Sequence, residues 1–231
     1  ADFEFRLSQA YPARELITQW RETDLEFVQR LLAEVGIFWR FEMDGRLGQD
    51  VVIFQDSQAQ YQFGVTLPLI QPSRTSDNGQ LSVWDIKTGH LVVSESVANR
   101  DYNYREALTP QDSSASVSTA DGITTGEVYH YAEPFLSEGD TDTPESGAYY
   151  ARLRHERILN AQQAVTGKTT SPVLAPGEVL EPQGSLPASL KDGIVITGVQ
   201  SSGSRKKSFQ MTFTGLPYSE AVCYRPPLHN R

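Results

Sequence analysis

The sequence is poor in the residues that build disulfides, metal sites and membrane-spanning helices. Its one cysteine, Cys223, excludes an intrachain disulfide and a zinc site built on cysteines. The four histidines are scattered, and none stands three or four positions from another, so no metal site is predicted. No window holds the roughly 20 consecutive apolar residues that a membrane-spanning helix requires. We therefore expect no stable insertion into a membrane.

Positive charge is scarce as well. Lys and Arg number 20 against 29 Asp and Glu, which gives a formal net charge of -9. Such an average field repels a polyanion unless the surface carries a strong basic patch. The one dense basic cluster, residues 205–207, lies between two predicted strands and is interpreted as a solvated hairpin tip. No nucleic-acid partner is therefore predicted.

Catalytic motifs are also missing. There is no Gly-x-Ser-x-Gly elbow, and the phosphate-loop-like residues 167–169 lack the required glycine five positions earlier, where Gln162 stands. The acidic loop 137–146, which includes Glu145, is interpreted as solvated. We predict no catalytic residue, no cofactor and no metal ligand, so the chain is not expected to be an enzyme. The alternative is a β-rich carbohydrate-processing enzyme that uses loop carboxylates and exposed aromatics such as Tyr102 and Tyr104.

The best-marked element of the sequence is a helix from about Thr23 to Val35. Thr23 and Glu26 form a capping box, which satisfies free amides at a helix start. Gly36 predicts the helix end, because glycine tolerates the left-handed conformation found there. Arg21 is interpreted as pairing with an acid near the helix start. An apolar stripe at helical spacing, which predicts packing, is formed by Leu25, Val28, Leu31, Leu32 and Val35.

The rest of the pattern predicts an α+β fold that is mostly β. Residues 1–65 are predicted as a strand, this helix and a hairpin, in which Trp39, Phe41 and Met43 make one strand face apolar. Residues 66–225 are predicted as a β-rich region with one helix near 147–165, closed by Gly167. Residues 112–121 are expected to form a mobile loop. Two prolines predict that 226–231 begin a linker, and the abrupt strand-like start suggests a piece of a longer protein.

The segments 11–15, 19–28 and 30–37 resemble the VgrG family, the spike proteins of bacterial type VI secretion, which are related to the hubs of contractile phage tails. The family pattern is Tyr-Pro-x-Arg-Glu, then Tyr-Arg-Glu-Ser/Thr-Asp-Leu-x-Phe-Val, and here Trp20 stands for the usual tyrosine. Residues 127–131 and 224–227 resemble later landmarks. The structural motif residues are Tyr11, Pro12, Arg14, Glu15, Arg21, Glu22, Asp24, Leu25, Phe27, Gly36, Trp84, Asp85, Pro176 and Gly177.

The resemblance implies a hub fragment with a barrel similar to the tube protein and a smaller α+β element. It implies a homotrimer that joins a hexameric tube, built of the protein Hcp, to a needle, with baseplate components and effector cargo as further partners. Other hub parts would precede Ala1, and a neck and needle would follow Arg231. Such a protein would be made in the bacterial cytoplasm without a signal peptide and delivered by the secretion machine. The hub of a contractile phage or prophage is the related alternative.

Overall fold

The structure, a computed structural model, describes residues 2–46, 48–70, 79–102, 108, 110–117, 123–131, 143–205 and 207–228. Strands outnumber helices in this part of the chain, which confirms the predicted α+β, mostly β class. The elements in chain order are β1 (Asp2–Arg6), α1 (Asp24–Glu34), β2 (Phe38–Asp44), β3 (Gln49–Gln55), β4 (Gln62–Pro68), β5 (Val83–His90), β6 (Ser96–Asp101), β7 (Gln111–Ala115), β8 (Glu127–Tyr131), α2 (Gly147–Gln162), β9 (Gln163–Thr169), β10 (Glu178–Gln183), β11 (Ile194–Ser204) and β12 (Lys207–Pro217).

The chain divides into two units whose segments alternate along the sequence. Unit 1 comprises Ala1–Gln58, Val92–Ala161 and Ala221–Arg231, and unit 2 comprises Ala59–Leu91 and Gln162–Glu220. Unit 1 contains both helices and two three-stranded sheets, with the orders β1-β3-β2 and β7-β6-β8. Unit 2 contains one six-stranded sheet. The boundaries 1–65, 66–225 and 226–231 inferred from the sequence stay a prediction.

Helix α1 begins and ends as predicted. The Thr23 amide donates to Glu26 Oε2 at 2.7 Å, and the Glu26 amide donates to Thr23 Oγ1 at 3.3 Å, so the capping box is formed. Gly36 follows the helix with a φ of +76°, in the left-handed region. These features are local, since each involves residues at most a few positions apart.

Thr23→Ala should lower the free energy of unfolding by about 1 kcal/mol, because it removes the oxygen that caps the helix. Urea unfolding followed by circular dichroism measures the loss. Thr23→Ser keeps the hydroxyl and should stay within about 0.5 kcal/mol of the original chain. Equal losses in the two variants would contradict the capping role.

The apolar stripe of α1 is only partly buried, which corrects the predicted packing. Arg30 and Ala33 are the buried residues of the helix. Leu25 and Val28 of the predicted stripe are 64% and 44% exposed. Leu31, Leu32 and Val35 are half-buried, so the stripe packs inside this chain only along the second half of the helix.

In strand β2 the mixed face is buried and the apolar face is exposed. Phe38 and Arg40 on its mixed face are buried, whereas Trp39, Phe41 and Met43 on its apolar face are exposed. The charge of Arg40 is compensated by Glu42, whose Oε2 accepts from Arg40 Nη2 at 2.7 Å. An ion pair thus allows the mixed face to be the inner one.

The second helix is shorter than predicted. α2 ends at Gln162, and β9 begins at the next residue, so Gly167 lies inside a strand and does not close the helix. Its role there is steric, because a Cβ at Gly167 would lie 2.4 Å from Phe213 Cζ. Val165 and Thr166 are β-branched, which favours the strand. Among the described residues, no helix is long and apolar enough to cross a membrane.

The polar segment 112–121 is ordered at its start, where β7 covers Gln111–Ala115 and pairs with β6. The mobile-loop prediction is therefore wrong for residues 112–115, and residues 118–122 lie outside the described part. Residues 127–131, a landmark of the family resemblance, form strand β8.

The six-stranded sheet of unit 2 curls into a half-barrel. Its order is β4-β10-β11-β12-β9-β5, and the chain just after β4 bridges to the start of β5 at Leu69 and Val83. The two edge strands thus meet at one point, as the curl of a barrel requires. The concave core includes Val83, Leu180, Leu190, Ile194 and Phe213, each fully buried.

Candidate functional site

Arg14 of the motif segment lies at the centre of an ionic network in unit 1. Its Nη1 donates to Glu34 Oε2 at 2.7 Å, and its Nε donates to Glu145 Oε1 at 2.9 Å. Its Nη2 donates to the Tyr150 hydroxyl at 3.1 Å, and that hydroxyl donates to Glu145. Glu145 is almost fully buried, so the prediction of a solvated acidic loop is wrong at this residue. A buried carboxylate needs a counter-charge and hydrogen-bond donors, and Arg14 and Tyr150 supply them.

The network continues along α1 through Arg30, which is buried. Arg30 Nη1 donates to Glu34 Oε1 at 3.1 Å, so Glu34 is shared by Arg14 and Arg30. Arg30 Nη2 donates to Glu22 Oε1 at 2.6 Å and to the Thr18 carbonyl at 3.2 Å. These bonds hold the segment before α1 against the helix. Glu22 therefore has a partner on α1 that the sequence did not predict.

Arg21, which the sequence favoured as a partner for the neighbouring acids, lies over an aromatic ring. Its guanidinium carbon is 5.3 Å from the Trp20 ring centre, a cation–π arrangement. Asp24 instead accepts a hydrogen bond from Gln19 Nε2 at 2.9 Å.

Tyr11 connects the motif segment to β3 and α2. Its hydroxyl donates to Asp56 Oδ2 at 3.0 Å and lies 3.3 Å from the Tyr149 hydroxyl. The Tyr149 hydroxyl in turn donates to the Val35 carbonyl at 2.8 Å. Burial raises the pKa of Tyr11, and the neighbouring Tyr149 and Asp56 oxygens add to the effect. The phenol therefore stays neutral and acts as a structural donor.

Arg225 forms the most deeply buried ion pair of the network. Its Nε donates to Glu156 Oε2, and both side chains are 4% exposed. Its Nη1 donates to the Gly36 carbonyl at 2.9 Å and to the Asp56 carbonyl at 2.8 Å. The guanidinium thus satisfies two backbone carbonyls and one carboxylate, which offsets the cost of burying its charge.

Arg157 on α2 makes a second connection to the same chain end. Its Nε donates to the Pro226 carbonyl at 3.0 Å, and its Nη2 donates to the Ala33 carbonyl. Burial, together with the cations Arg154 and Arg225, lowers the pKa of Arg157 to about 10. The group still carries its charge at neutral pH, so it acts as a permanent cationic link.

The other motif residues of unit 1 lie nearer the surface. Pro12 and Glu15 are exposed, Leu25 is exposed on α1, and the Phe27 ring lies 5.3 Å from the Arg30 guanidinium carbon. The structure therefore brings only part of the predicted set into the network. The members that join it are Tyr11, Arg14, Glu22 and Gly36.

The remaining motif residues belong to unit 2 and form two separate features there. Asp85 has a φ of +54° at an irregularity in β5 after Trp84, and it pairs with Lys87 Nζ at 3.1 Å and Lys168 Nζ at 3.2 Å. Hydrogen bonds from these two ammonium groups lower the pKa of Asp85. The pairing links β5 to β9.

Pro176 and Gly177 form the turn before β10. Gly177 has a φ of +87°, its amide donates to the Ile196 carbonyl at 2.9 Å, and its carbonyl accepts from the Gln62 amide at 3.0 Å. The turn therefore connects β4 and β11 in unit 2, which is a structural role.

The chemistry available at these sites is pairing and positioning. Among the described residues, no group of three or more His, Cys, Asp or Glu is placed to hold a metal. A cavity of about 470 Å³ in unit 1 offers one described carboxylate, Asp112, which pairs with Arg100. A glycosidase needs two carboxylates across its substrate. The described lining residues are Ala98, Asn99, Asp112, Ser113, Ser114, Tyr129 and Ala148.

Sequence reasoning missed most of the charged residues of the network, namely Arg30, Glu34, Asp56, Glu145, Glu156, Arg157 and Arg225. Arg225 lies in the segment 224–227, which resembles a landmark of the family. The residues next to it do not identify its partner Glu156, which is 69 positions away. The one feature of the sequence that could have drawn attention to Arg225 is its position directly before two prolines at the end of the β-rich region.

Comparison with known proteins identifies the family. The model of the phage tail baseplate hub (GPD) matches residues 1–207. VgrG1c, a type VI secretion system spike protein of Pseudomonas aeruginosa, is 25% identical over 71% of this chain and 22% of its own length. The actin cross-linking toxin VgrG1 of Vibrio cholerae is 22% identical over 90% of this chain and 18% of its own length. The chain thus spans about a fifth of each of these two relatives.

A solved structure agrees with these relatives. It is the Escherichia coli c3393 protein, a component of the type VI secretion system with structural similarity to the T4 bacteriophage tail proteins gp27 and gp5. It is 36% identical, with a TM-score of 0.68, and the match covers 100% of this chain and 47% of that one. The predicted resemblance to VgrG proteins is confirmed. The chain belongs to the phage tail baseplate hub family and has the structural role of a VgrG-type tail hub.

Proposed function

We propose that this chain is the hub part of a trimeric, cell-puncturing spike and that it joins a hexameric tube to a needle. The observation that supports this most is the match of the whole chain to the Escherichia coli c3393 protein, a component of the type VI secretion system, at 36% identity and a TM-score of 0.68. A hub transmits force and does not transform a substrate. An ionic network that fixes chain segments to one another suits that task.

The proposed partners are the tube protein Hcp, baseplate components and effector cargo. In this proposal the protein is made in the bacterial cytoplasm and delivered into a target cell by the type VI machine. One curated relative is named an actin cross-linking toxin, and this chain matches 18% of its length. We propose that any such activity belongs to other parts of the full-length protein.

We further propose that the motif residues serve the rigidity of the hub. Residues 1–65 would form its strand-helix-hairpin part, 66–225 its barrel-containing part, and 226–231 the start of a linker. The contacts of Tyr11, Arg14 and Gly36 in unit 1 support this role, because each one fixes backbone segments that are distant in sequence.

The hub of a contractile phage or prophage is the second candidate. The matching family is described as a phage tail hub, which supports it. The curated relatives named above are a type VI spike protein and a toxin of the same series, which favours type VI secretion.

The test uses the full-length gene in a bacterium that carries it. Deleting the gene should abolish release of the tube protein into the medium, because a tube without its hub is not assembled and fired. Reintroducing the intact gene should restore release. Unchanged release from the deletion strain would overturn the proposal. Loss of DNA-containing tailed particles, with release unchanged, would instead assign the hub to a prophage.

A further inference from the structure

The segment 223–226 of unit 1 forms neither a helix nor a strand, yet it is largely buried. Cys223 is 0% exposed and Arg225 is 5% exposed. The Tyr224 ring packs edge-on against the Phe38 ring, with ring centres 5.8 Å apart. An irregular segment that is buried needs partners for its backbone amides and carbonyls. These partners are supplied by side chains of α2.

Asn160 of α2 pairs with the backbone of this segment as a neighbouring strand would. Its Nδ2 donates to the Cys223 carbonyl at 3.1 Å, and its Oδ1 accepts from the Arg225 amide at 2.7 Å. In a parallel sheet, one residue likewise bonds with a carbonyl and an amide that lie two positions apart on the next strand. One carboxamide therefore fixes both the position and the orientation of the segment.

Two further side chains of α2, about one helical turn or less before Asn160, hold the same segment. Glu156 Oε2 accepts from Arg225 Nε, and both side chains are 4% exposed. Arg157 Nε donates to the Pro226 carbonyl at 3.0 Å. The segment is therefore clamped by one short stretch of α2, and it cannot slide or rotate without breaking several of these bonds together.

Helix α2 is itself fixed to other parts of unit 1. Near its beginning, the Tyr149 hydroxyl donates to the Val35 carbonyl at 2.8 Å. His155 Nδ1 accepts from the Val117 amide at 2.9 Å, and its Nε2 bonds with the Ser94 carbonyl at 3.1 Å. The clamp on α2 therefore connects the segment to the end of α1 and to the chain that flanks β6 and β7.

Two prolines stiffen the chain where the clamp ends. The proline ring fixes φ at Pro226 and Pro227, and a residue that precedes a proline avoids the helical conformation. Proline-rich segments act as semi-rigid spacers. The backbone of residues 225–227 is therefore stiff even where no side chain of α2 holds it.

We propose that the segment 223–226 is a rigid joint, which fixes the direction in which the chain continues after Pro227 relative to unit 1. This inference rests on the proposed function, in which a hub carries a needle that is pushed against a resisting surface. A flexible attachment would let the part that follows swing aside under that load. The bonds of Asn160, Glu156 and Arg157 to the segment remove this freedom.

Distances between spin labels test the joint directly. Leu25→Cys and Leu228→Cys, at two exposed positions of unit 1, carry the labels, since the buried Cys223 is shielded from reaction in the folded chain. The intact clamp should give one narrow distance, and Asn160→Leu should broaden the distribution. Gln163→Leu, which removes a carboxamide bond in unit 2, is the matched control and should leave it narrow. A broad distribution with the clamp intact would overturn the proposal, even if Asn160→Leu does not fold.

Hydrogen exchange at the Arg225 amide is an independent measurement. This amide donates to Asn160, so Asn160→Leu should accelerate its exchange about 10-fold. The amides of β3 report opening of unit 1 as a whole, and they should exchange as before. Unchanged exchange at Arg225 would overturn the proposal. Acceleration of the β3 amides by the same factor would also overturn it, because Asn160 would then stabilise the unit and not the joint.

The full-length protein separates the joint from the proposed function. In cells, Asn160→Leu should lower the release of the tube protein several-fold at an unchanged level of the hub protein, whereas Gln163→Leu should not lower it. Normal release with a loosened joint would overturn the proposal. The proposed function would then stand, because it is tested by deleting the whole gene and not by loosening one attachment.

Discussion

Arg225→Met is expected to destabilise the chain by about 3–5 kcal/mol. The substitution leaves Glu156 buried without its main counter-charge and removes the donors to the Gly36 and Asp56 carbonyls. Folded domains have total stabilities of about 5–15 kcal/mol, so the loss is a large fraction of the whole. Urea unfolding followed by circular dichroism gives the difference.

Two further variants show whether the effect comes from the buried pair. Arg225→Met combined with Glu156→Leu removes both charges, and it should be less destabilised than the sum of the two single variants, since no unpaired charge stays buried. Arg100→Met breaks the Arg100–Asp112 pair, whose side chains are about half exposed, and should have a small effect. Similar losses for Arg225→Met and Arg100→Met would refute the argument.

Gly36→Ala is expected to cost about 2–4 kcal/mol. About 1–2 kcal/mol comes from forcing a side chain into the left-handed region, where Gly36 has a φ of +76°. The rest comes from overpacking, since a Cβ would lie 2.6 Å from Leu153 Cδ2 and 3.2 Å from Arg225 Cδ.

Gly126→Ala separates the two contributions. Gly126 has a φ of +78°, and no atom lies within 4 Å of the position of an added Cβ. This variant therefore measures the backbone cost alone, about 1–2 kcal/mol. The same urea measurement on both variants should show the larger loss at Gly36. Equal losses would mean that close packing around Gly36 contributes nothing.

The local features that depend on neighbouring residues, such as helix ends, were predicted correctly from the sequence. The capping box of Thr23 and Glu26 and the left-handed Gly36 were both predictable, because they depend on residues a few positions apart. Which side of an element is buried was not. Arg40 is 4% exposed while Phe41 is 58% exposed, because other segments of the chain decide which face is covered.

The candidate site shows the same limit. Tyr11, Arg14 and Gly36 were found through their motif, whereas the burial of Glu145 was missed, since its partner Arg14 is 131 positions away. No pattern within a short window can report such a distance. The two units could not be predicted from the sequence for the same reason, because each is assembled from separated segments.

The alternation of the two units along the chain has a consequence for biosynthesis. Unit 1 recruits residues from both ends of the sequence, and Arg225 reaches Gly36 across 189 positions. Contacts between such distant residues slow folding, because a long loop must close before they form. During translation the bonds of the Gly36 and Asp56 carbonyls to Arg225 therefore cannot form until residue 225 has left the ribosome. A ribosome that stops before Arg225 releases a chain in which the Glu156 carboxylate lacks its principal cation, which exposes the unfinished product to proteases.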